Sequence, residues 1–295
     1  DNLRQYRAIR EALRQAYPGE PQGRCARHLT TLAALISGIV ASKSTQLPKV
    51  AAKVPNGTKP ESRVKRFARW LDNARILEET YFLPYAEILL RHLALETLVL
   101  VMDGSVMGFG CREMMLDVVY TGRALLLAWR VRPGPKGHFP EELHIALVEL
   151  VRACLPEGTQ VVFLGDGECD GTTLQATLNE AGWGYVCRTA QSTVATWDGE
   201  TFRLDTLGAC STPGTLIALQ EVKMTRDAYG PVMVLSGWAK GYHEPLYVVS
   251  NMEAAEAACR YYQKRFRIET FFSDQKPRGF NINKSHILDP QRLSR

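Results

Sequence analysis

Two apolar runs that each end on an aspartate beside a glycine constrain this chain most. Residues 96–107, ETLVLVMDGSVM, read as a buried strand whose apolar run breaks at Asp103 followed by Gly104. Residues 160–171, QVVFLGDGECDG, repeat the design, with Val161, Val162, Phe163 and Leu164 ending at Gly165, Asp166 and Gly167. Each carboxylate is therefore expected where a hydrophobic strand emerges. From Glu96 onward the predicted order is strand, strand, strand, helix, strand, helix, strand. The strands fall near 97–102, 113–120, 124–132, 160–165 and 184–189, and the helices near 140–154 and 172–182. The first three strands can pair as an antiparallel meander, and the later ones return through helical crossovers. An α/β chain built on a mixed sheet follows. Residues 192–243 are rich in Thr, Gly and β-branched residues without a helical period, and EPLYVVSN then supplies a further strand.

The run from Tyr261 to Lys276, YYQKRFRIETFFSDQK, is helix-like and sets Tyr262, Arg265, Glu269 and Lys276 at offsets of 3, 4 and 7 residues. On one continuous helix these four point within roughly a 60° arc over about 21 Å of axis. The stripe holds a carboxylate, two cations and a phenol, suited to a metal held beside a charged backbone. Tyr261, Ile268 and Phe272 form an adjacent apolar seam that would mount the helix on a core. A surface helix with ordinary charge pairs has the same composition.

These residues together resemble the DDE transposases of bacterial insertion sequences, in the group marked by Tyr-x2-Arg-x3-Glu-x6-Lys. Tyr262, Arg265, Glu269 and Lys276 fit that spacing at every position, and Asp103 in DGS and Asp166 in GDG fit the two strand-end aspartates. The resemblance covers roughly residues 96–295. It implies an RNase H-like fold, for which the strand and helix order above is the expected topology. It also implies two Mg²⁺ or Mn²⁺ ions and cut-and-paste chemistry, with Asp103 bridging the metals and Asp166 and Glu269 each completing a shell. The implied organisation is an all-α basic DNA-binding domain (1–95), a first part of the core (96–191), a β-rich insertion (192–243) and the remaining strand with the catalytic helix (244–295).

Charge is placed unevenly. Residues 1–95 carry 16 Lys or Arg against 8 Asp or Glu, a net +8, so the other 200 residues carry −3 of the total +5. A polyanion such as DNA is the expected partner of that region. Leu3 to Tyr17 reads as an Arg-rich helix and His28 to Ala41 as a more apolar one. Ser44 to Val54 and Glu61 to Leu71 read as two short helices joined by the breaker PNGTKP. In the last of these, Val64, Phe67 and Leu71 share one face, and Lys65, Arg66 and Arg69 another. The pair resembles a helix-turn-helix with a basic outer face, although a solvated bundle helix has the same pattern.

With 45% apolar residues, the 295-residue chain can bury a sizeable core in two or three domains. No long apolar run spans a membrane and no charged-then-apolar leader opens the chain, so a soluble, cytoplasmic, nucleoid-associated protein is expected. The chain opens on Asp1 rather than Met and stops at Arg295, which is compatible with natural ends lying beyond both. Seven cysteines without a Cys-x2-Cys pair give neither a disulfide framework nor a zinc site, and Cys169 and Cys187 read as reduced packing residues. Glu168 and Asp170 lie near Asp166 and could replace Glu269 as a ligand, or Asp170 could cap the following helix. His138 in RPGPKGH could touch substrate or be an exposed loop residue. Trp238 could stack on a flipped base near the cleaved end, as an insertion-domain Trp does in the related transposases, or be a core aromatic. The expected function is a transposase acting on terminal inverted repeats and target DNA, as a homodimer in the DNA complex. The alternatives are an RNase H-like nuclease or resolvase without strand transfer, and a DNA-binding protein that has lost catalysis.

Overall fold

The computed structural model describes residues 1–295 apart from Asn56, Leu95, Phe109, Lys136 and Pro277. The first elements are α1 (Asn2–Ala16), α2 (Gly23–Ser42), α3 (Leu47–Lys53), α4 (Pro60–Leu71), α5 (Glu78–Tyr81) and α6 (Leu83–Leu93). Proline stands in the first turn of α3, α4 and α6, where its missing N–H costs nothing and its fixed φ suits a helix start. Ala34 and Leu35 of α2, Val50 and Ala51 of α3, and Phe67, Trp70 and Leu71 of α4 bury one another in a core of their own. By length and composition α2 could cross a membrane; here its apolar face is packed into that core. The breaker expected between α3 and α4 includes Asn56, which lies outside the described residues.

Next come β1 (Leu98–Gly108), β2 (Cys111–Tyr120), β3 (Arg123–Pro133), α7 (Glu141–Cys154), β4 (Val161–Gly165), α8 (Thr172–Glu180) and β5 (Gly184–Thr189). They are followed by β6 (Val194–Trp197), β7 (Glu200–Arg203), α9 (Asp205–Ala209), β8 (Leu216–Met224), β9 (Tyr229–Gly237) and β10 (Leu246–Ser250). The chain closes with α10 (Ala255–Tyr262), α11 (Arg267–Gln275) and α12 (Pro290–Ser294). Among the described residues one ten-stranded sheet has the order β3-β2-β1-β4-β5-β10-β9-β8-β6-β7. β1 pairs antiparallel with β2 and parallel with β4, which in turn pairs parallel with β5. β10 lies antiparallel between β5 and β9, so the strands of residues 192–243 continue the same sheet.

Period two along β1 sends Leu98, Leu100 and Met102 to one face and Val99 and Val101 to the other. The first set packs with Leu90 of α6, Leu147 of α7 and Leu178 of α8. The second packs with Ala258 and Tyr262 of α10 and Ile268 of α11. Helices on both faces are why the runs at β1 and β4 are apolar without alternation.

Two sequence expectations are corrected by these elements. β1 does not end at Asp103: it runs on to Gly108, because β2 pairs with it past that point, Asp103 opposite Met115 and Ser105 opposite Glu113. What ends there is the parallel pairing with β4, at Met102 and Gly165. The run 261–276 is also not one helix. α10 stops at Tyr262, a 3-10 turn occupies Gln263–Phe266, and α11 starts at Arg267, leaving Lys276 as the capping residue beyond its end.

Candidate active site

Asp103 and Asp166 are the residues that follow the last β1–β4 partners, so they step off neighbouring parallel strands about 4.8 Å apart. Period two puts Asp103 on the sheet face covered by α10 and α11. Its Oδ1 accepts from its neighbour's amide, Gly104 N–H, at 2.7 Å. Asp166 Oδ1 accepts from Glu168 N–H at 3.0 Å, which closes the turn after β4. Burial first, and then the charge of Asp166, push the Asp103 carboxyl up to about 6, with Arg265 and the Gly104 amide opposing. Two carboxylates are thus held close with too little positive charge to satisfy them.

Arg265 supplies what cation there is. Arg265 lies in the 3-10 turn and keeps Tyr262 and Glu269, its expected neighbours in the stripe, while also reaching Asp103. Its Nη1 donates to Asp103 Oδ2 at 3.0 Å, and its Nη2 to Glu269 Oε1 at 3.4 Å. The Arg265 side chain is 11% exposed and that of Glu269 56%. Asp103, Asp166, Arg265 and Glu269 therefore form one cluster at the C-terminal end of β4, although 162 residues separate Asp103 from Arg265. Among the described residues no three His, Cys, Asp or Glu side chains close to ligand distance, because Glu269 joins the aspartates only through Arg265. As donors, Asp103 and Asp166 are hard oxygens of the kind Mg²⁺ and Mn²⁺ take, and their mutual repulsion is what such a cation relieves.

The other predicted residues divide. Tyr262 is buried, with the Arg265 guanidinium 5.8 Å from its ring centre. Trp238 lines a cavity of about 660 Å³ together with Tyr262, Arg265, Phe266, Arg188 and Tyr242. Its indole N–H donates to the Tyr242 carbonyl at 2.9 Å. Lys276 is not on the Arg265 side: its ammonium donates to the Ser105 hydroxyl and its charge acts on Glu113. Lys65 and Arg69 are exposed on α4, but Arg66 is not aligned with them, since its Nε and Nη2 are enclosed without a hydrogen-bond partner among the described residues. Asp170 does not cap α8. Its Oδ2 accepts from the Thr189 hydroxyl at 2.8 Å, and Glu141 of α7 accepts from Leu174 N–H at 2.8 Å instead.

The sequence matches no known family model, and no curated protein matches it. Among solved structures, the chain is similar to a piggyBac transposase synaptic complex with hairpin DNA, solved by cryo-EM, with a TM-score of 0.51 and 11% identity over 92% of this chain and 67% of that one. Weaker matches are human ENDOV, with a TM-score of 0.34 at 15% identity over 65% of this chain and 86% of that one, and the C-terminal lobe of a budding yeast Argonaute, at 0.26 and 12% over 70% and 46%. The likeness is one of fold. The large mixed sheet of this chain, flanked by helices, is compatible with an RNase H-like fold.

Sequence reasoning passed over Glu113, Asp117, Arg188 and His144 in this neighbourhood. Glu113 and Asp117 are fully buried on β2, on the face that holds Asp103, and none of their carboxylate oxygens has a hydrogen-bond partner among the described residues. Burial pushes the Glu113 carboxyl up to about 8, with Lys276 opposing, and pushes Asp117 well above the ordinary carboxylate range with Glu113 and Asp103 adding to it. Period two in CREMMLDVV carried the signal, but only packing by α11 turns that polar edge into an interior. Arg188, exposed on β5, faces the cavity. Glu168 reaches to the opposite side of the sheet end: its Oε1 accepts from Phe139 N–H and lies 3.8 Å from buried His144 Nε2. A Cβ on Gly104 would sit 3.3 Å from Glu168 Oε2 and 3.4 Å from Met114 Cε, so the residue after Asp103 has little room to be anything else. His138 is exposed, and its carbonyl accepts from Arg112 at 3.0 Å.

Proposed function

We propose that the chain is a metal-dependent DNA transposase of the DDE type, of the bacterial insertion-sequence group with the Tyr-x2-Arg-x3-Glu-x6-Lys pattern. The observation that carries this is the pair Asp103 and Asp166 on neighbouring parallel strands, joined to Glu269 through Arg265. Such a set suits phosphodiester chemistry, which needs an ionised attacking oxygen, relief of charge on a crowded anion and a stabilised leaving 3′ oxygen. Asp103, Asp166 and Glu269 would hold two Mg²⁺ or Mn²⁺ ions, and the chemistry these supply when bound is a more acidic water or 3′ hydroxyl and neutralised phosphate charge. No side chain of this site need become a covalent nucleophile.

In this reading Arg265, with Tyr262 packed behind it, holds a phosphate of the element end. Lys65 and Arg69 on α4 contact the duplex backbone further out. Trp238 sits where a base displaced from the cleaved end could stack. Residues 1–95 form a DNA-binding domain, 96–191 with 244–295 the RNase H-like core, and 192–243 its insertion. The active form is a homodimer on paired terminal inverted repeats, and the compartment is the bacterial cytoplasm. That a synaptic DNA complex of piggyBac transposase has the same kind of fold supports DNA as partner.

Labelled element ends incubated with a target plasmid in Mg²⁺ test the proposal. Nicked ends joined to the plasmid are expected. Cleavage without joining would instead indicate a nuclease, and binding without cleavage an inactive DNA-binding protein.

A further inference from the structure

Arg265 stands where two ligands of a metal would otherwise meet. Its guanidinium is held between Asp103 and Glu269 at 3.0 and 3.4 Å, is nearly buried, and leaves its Nε enclosed without a hydrogen-bond partner among the described residues. Lys276, the other nearby cation of the motif, is committed to Ser105 and so offers Asp103 nothing. On its far side Arg265 borders the cavity lined by Tyr262, Phe266, Trp238 and exposed Arg188, with Glu244 also in the wall. The Phe266 ring lies 4.7 Å from the guanidinium carbon, so a path toward the cavity is flanked by an aromatic face that a cation tolerates. Arg265 also leaves a 3-10 turn, a backbone form often found where helices hinge.

A divalent cation on Asp103 and Glu269 and a guanidinium on the same two oxygens repel each other at close range. Both cannot be held there at full strength. We propose that Arg265 is an internal counter-cation that occupies the carboxylate cluster in the DNA-free protein. It is released toward the cavity when a DNA phosphate offers it and Arg188 a second anionic partner. Metal binding and phosphate binding are thereby coupled through one side chain. Arg265 is a positioning residue in this scheme, and the coupling is reciprocal: DNA tightens the metal as much as the metal tightens DNA. The cavity wall suits a phosphate, which on entering meets Arg188 before it displaces any carboxylate contact of Arg265. The device would keep a free transposase from assembling a loaded metal site away from its DNA ends.

This inference rests on the metal-dependent reading of the same site, and Mn²⁺ titration of the whole chain separates the two. Mn²⁺ binding is followed by electron paramagnetic resonance at pH 8, without and with a short DNA duplex, for the wild type, Arg265→Gln, Arg265→Lys and Asp103→Asn. The DNA-free Arg265→Gln protein should bind Mn²⁺ on the order of tenfold more tightly than the wild type, the size of a typical coupling. The duplex should tighten Mn²⁺ binding to the wild type by a similar factor and leave Arg265→Gln nearly unchanged. Arg265→Lys, which keeps the charge without the fork, should fall between them and serves where Arg265→Gln folds poorly. Equal or weaker Mn²⁺ binding by Arg265→Gln, with Asp103→Asn defective, would overturn the counter-cation role alone. Wild type and Asp103→Asn binding Mn²⁺ identically would overturn the metal site and this inference with it.

Discussion

Replacing Glu113 by Gln should change how the stability of the fold depends on pH. Glu113 is fully buried on β2, both of its oxygens lack partners among the described residues, and burial raises its carboxyl from 4.5 to about 8 against the pull of Lys276. Between those values the folded state keeps a proton that the unfolded chain has lost. The contribution is therefore greatest below pH 4.5, is lost progressively as pH rises toward 8, and changes no further above it. At about 1.4 kcal/mol per pK unit, the window from 4.5 to 8 amounts to on the order of 5 kcal/mol. Gln has nearly the same shape and no charge to desolvate. Urea midpoints at pH 5, 6, 7 and 8 should show Glu113→Gln gaining on the wild type at each step, by several kcal/mol over the series. Asp103 titrates in both proteins and largely cancels in the difference. Stability curves that run parallel across the series would refute the reasoning, because they would mean that Glu113 is ionised and solvated at every pH.

Gly165→Ala should be severely destabilising, by about 3 kcal/mol in a thermal melt, because the added Cβ would press on Cys169 and lie 3.2 Å from Cys187 Sγ, both in a filled core. Salt-dependent DNA binding should distinguish the faces of α4: Lys65→Ala and Arg69→Ala should each lower the log-log slope by about 0.9, while Arg66→Ala, whose head group is enclosed, should cost stability and leave the slope alone. Leu100→Ala should cost about 2–5 kcal/mol in chemical denaturation, since that side chain is wholly buried at the middle of β1.

The strands and their two aspartates were legible because burial on both faces writes an unbroken apolar run, and a run that stops on Asp and Gly marks its own end. What Asp103 ends, however, is pairing with β4 and not β1 itself. Gly104 and Ser105 look like a turn locally, and the antiparallel partner that keeps them extended lies elsewhere in the chain. The spacing from Tyr262 to Glu269 located the site helix, but spacing assumes one helical pitch. Arg265 still meets Glu269 as the spacing predicts and adds Asp103, but Lys276 caps α11 with a non-helical backbone and turns to Ser105 of β1. Glu113 and Asp117 were hidden for a different reason. Alternation says that they share a face, but whether that face meets water depends on α11, about 150 residues later. The seat of β10 between β5 and β9, which carries the strands of residues 192–243 onto the main sheet, is likewise a long-range pairing without a local signal.

The most direct test of the account is DNA nicking by the wild type, Asp103→Asn and Asp166→Asn, measured with and without Mg²⁺ or Mn²⁺ alongside gel-shift binding to the same labelled DNA. The wild type should nick only when the divalent cation is present, and both variants should fall to background while binding the DNA nearly as well. Nicking by the wild type in a chelator, or by either variant at the wild-type rate, would contradict the assignment of Asp103 and Asp166 as the metal-holding pair.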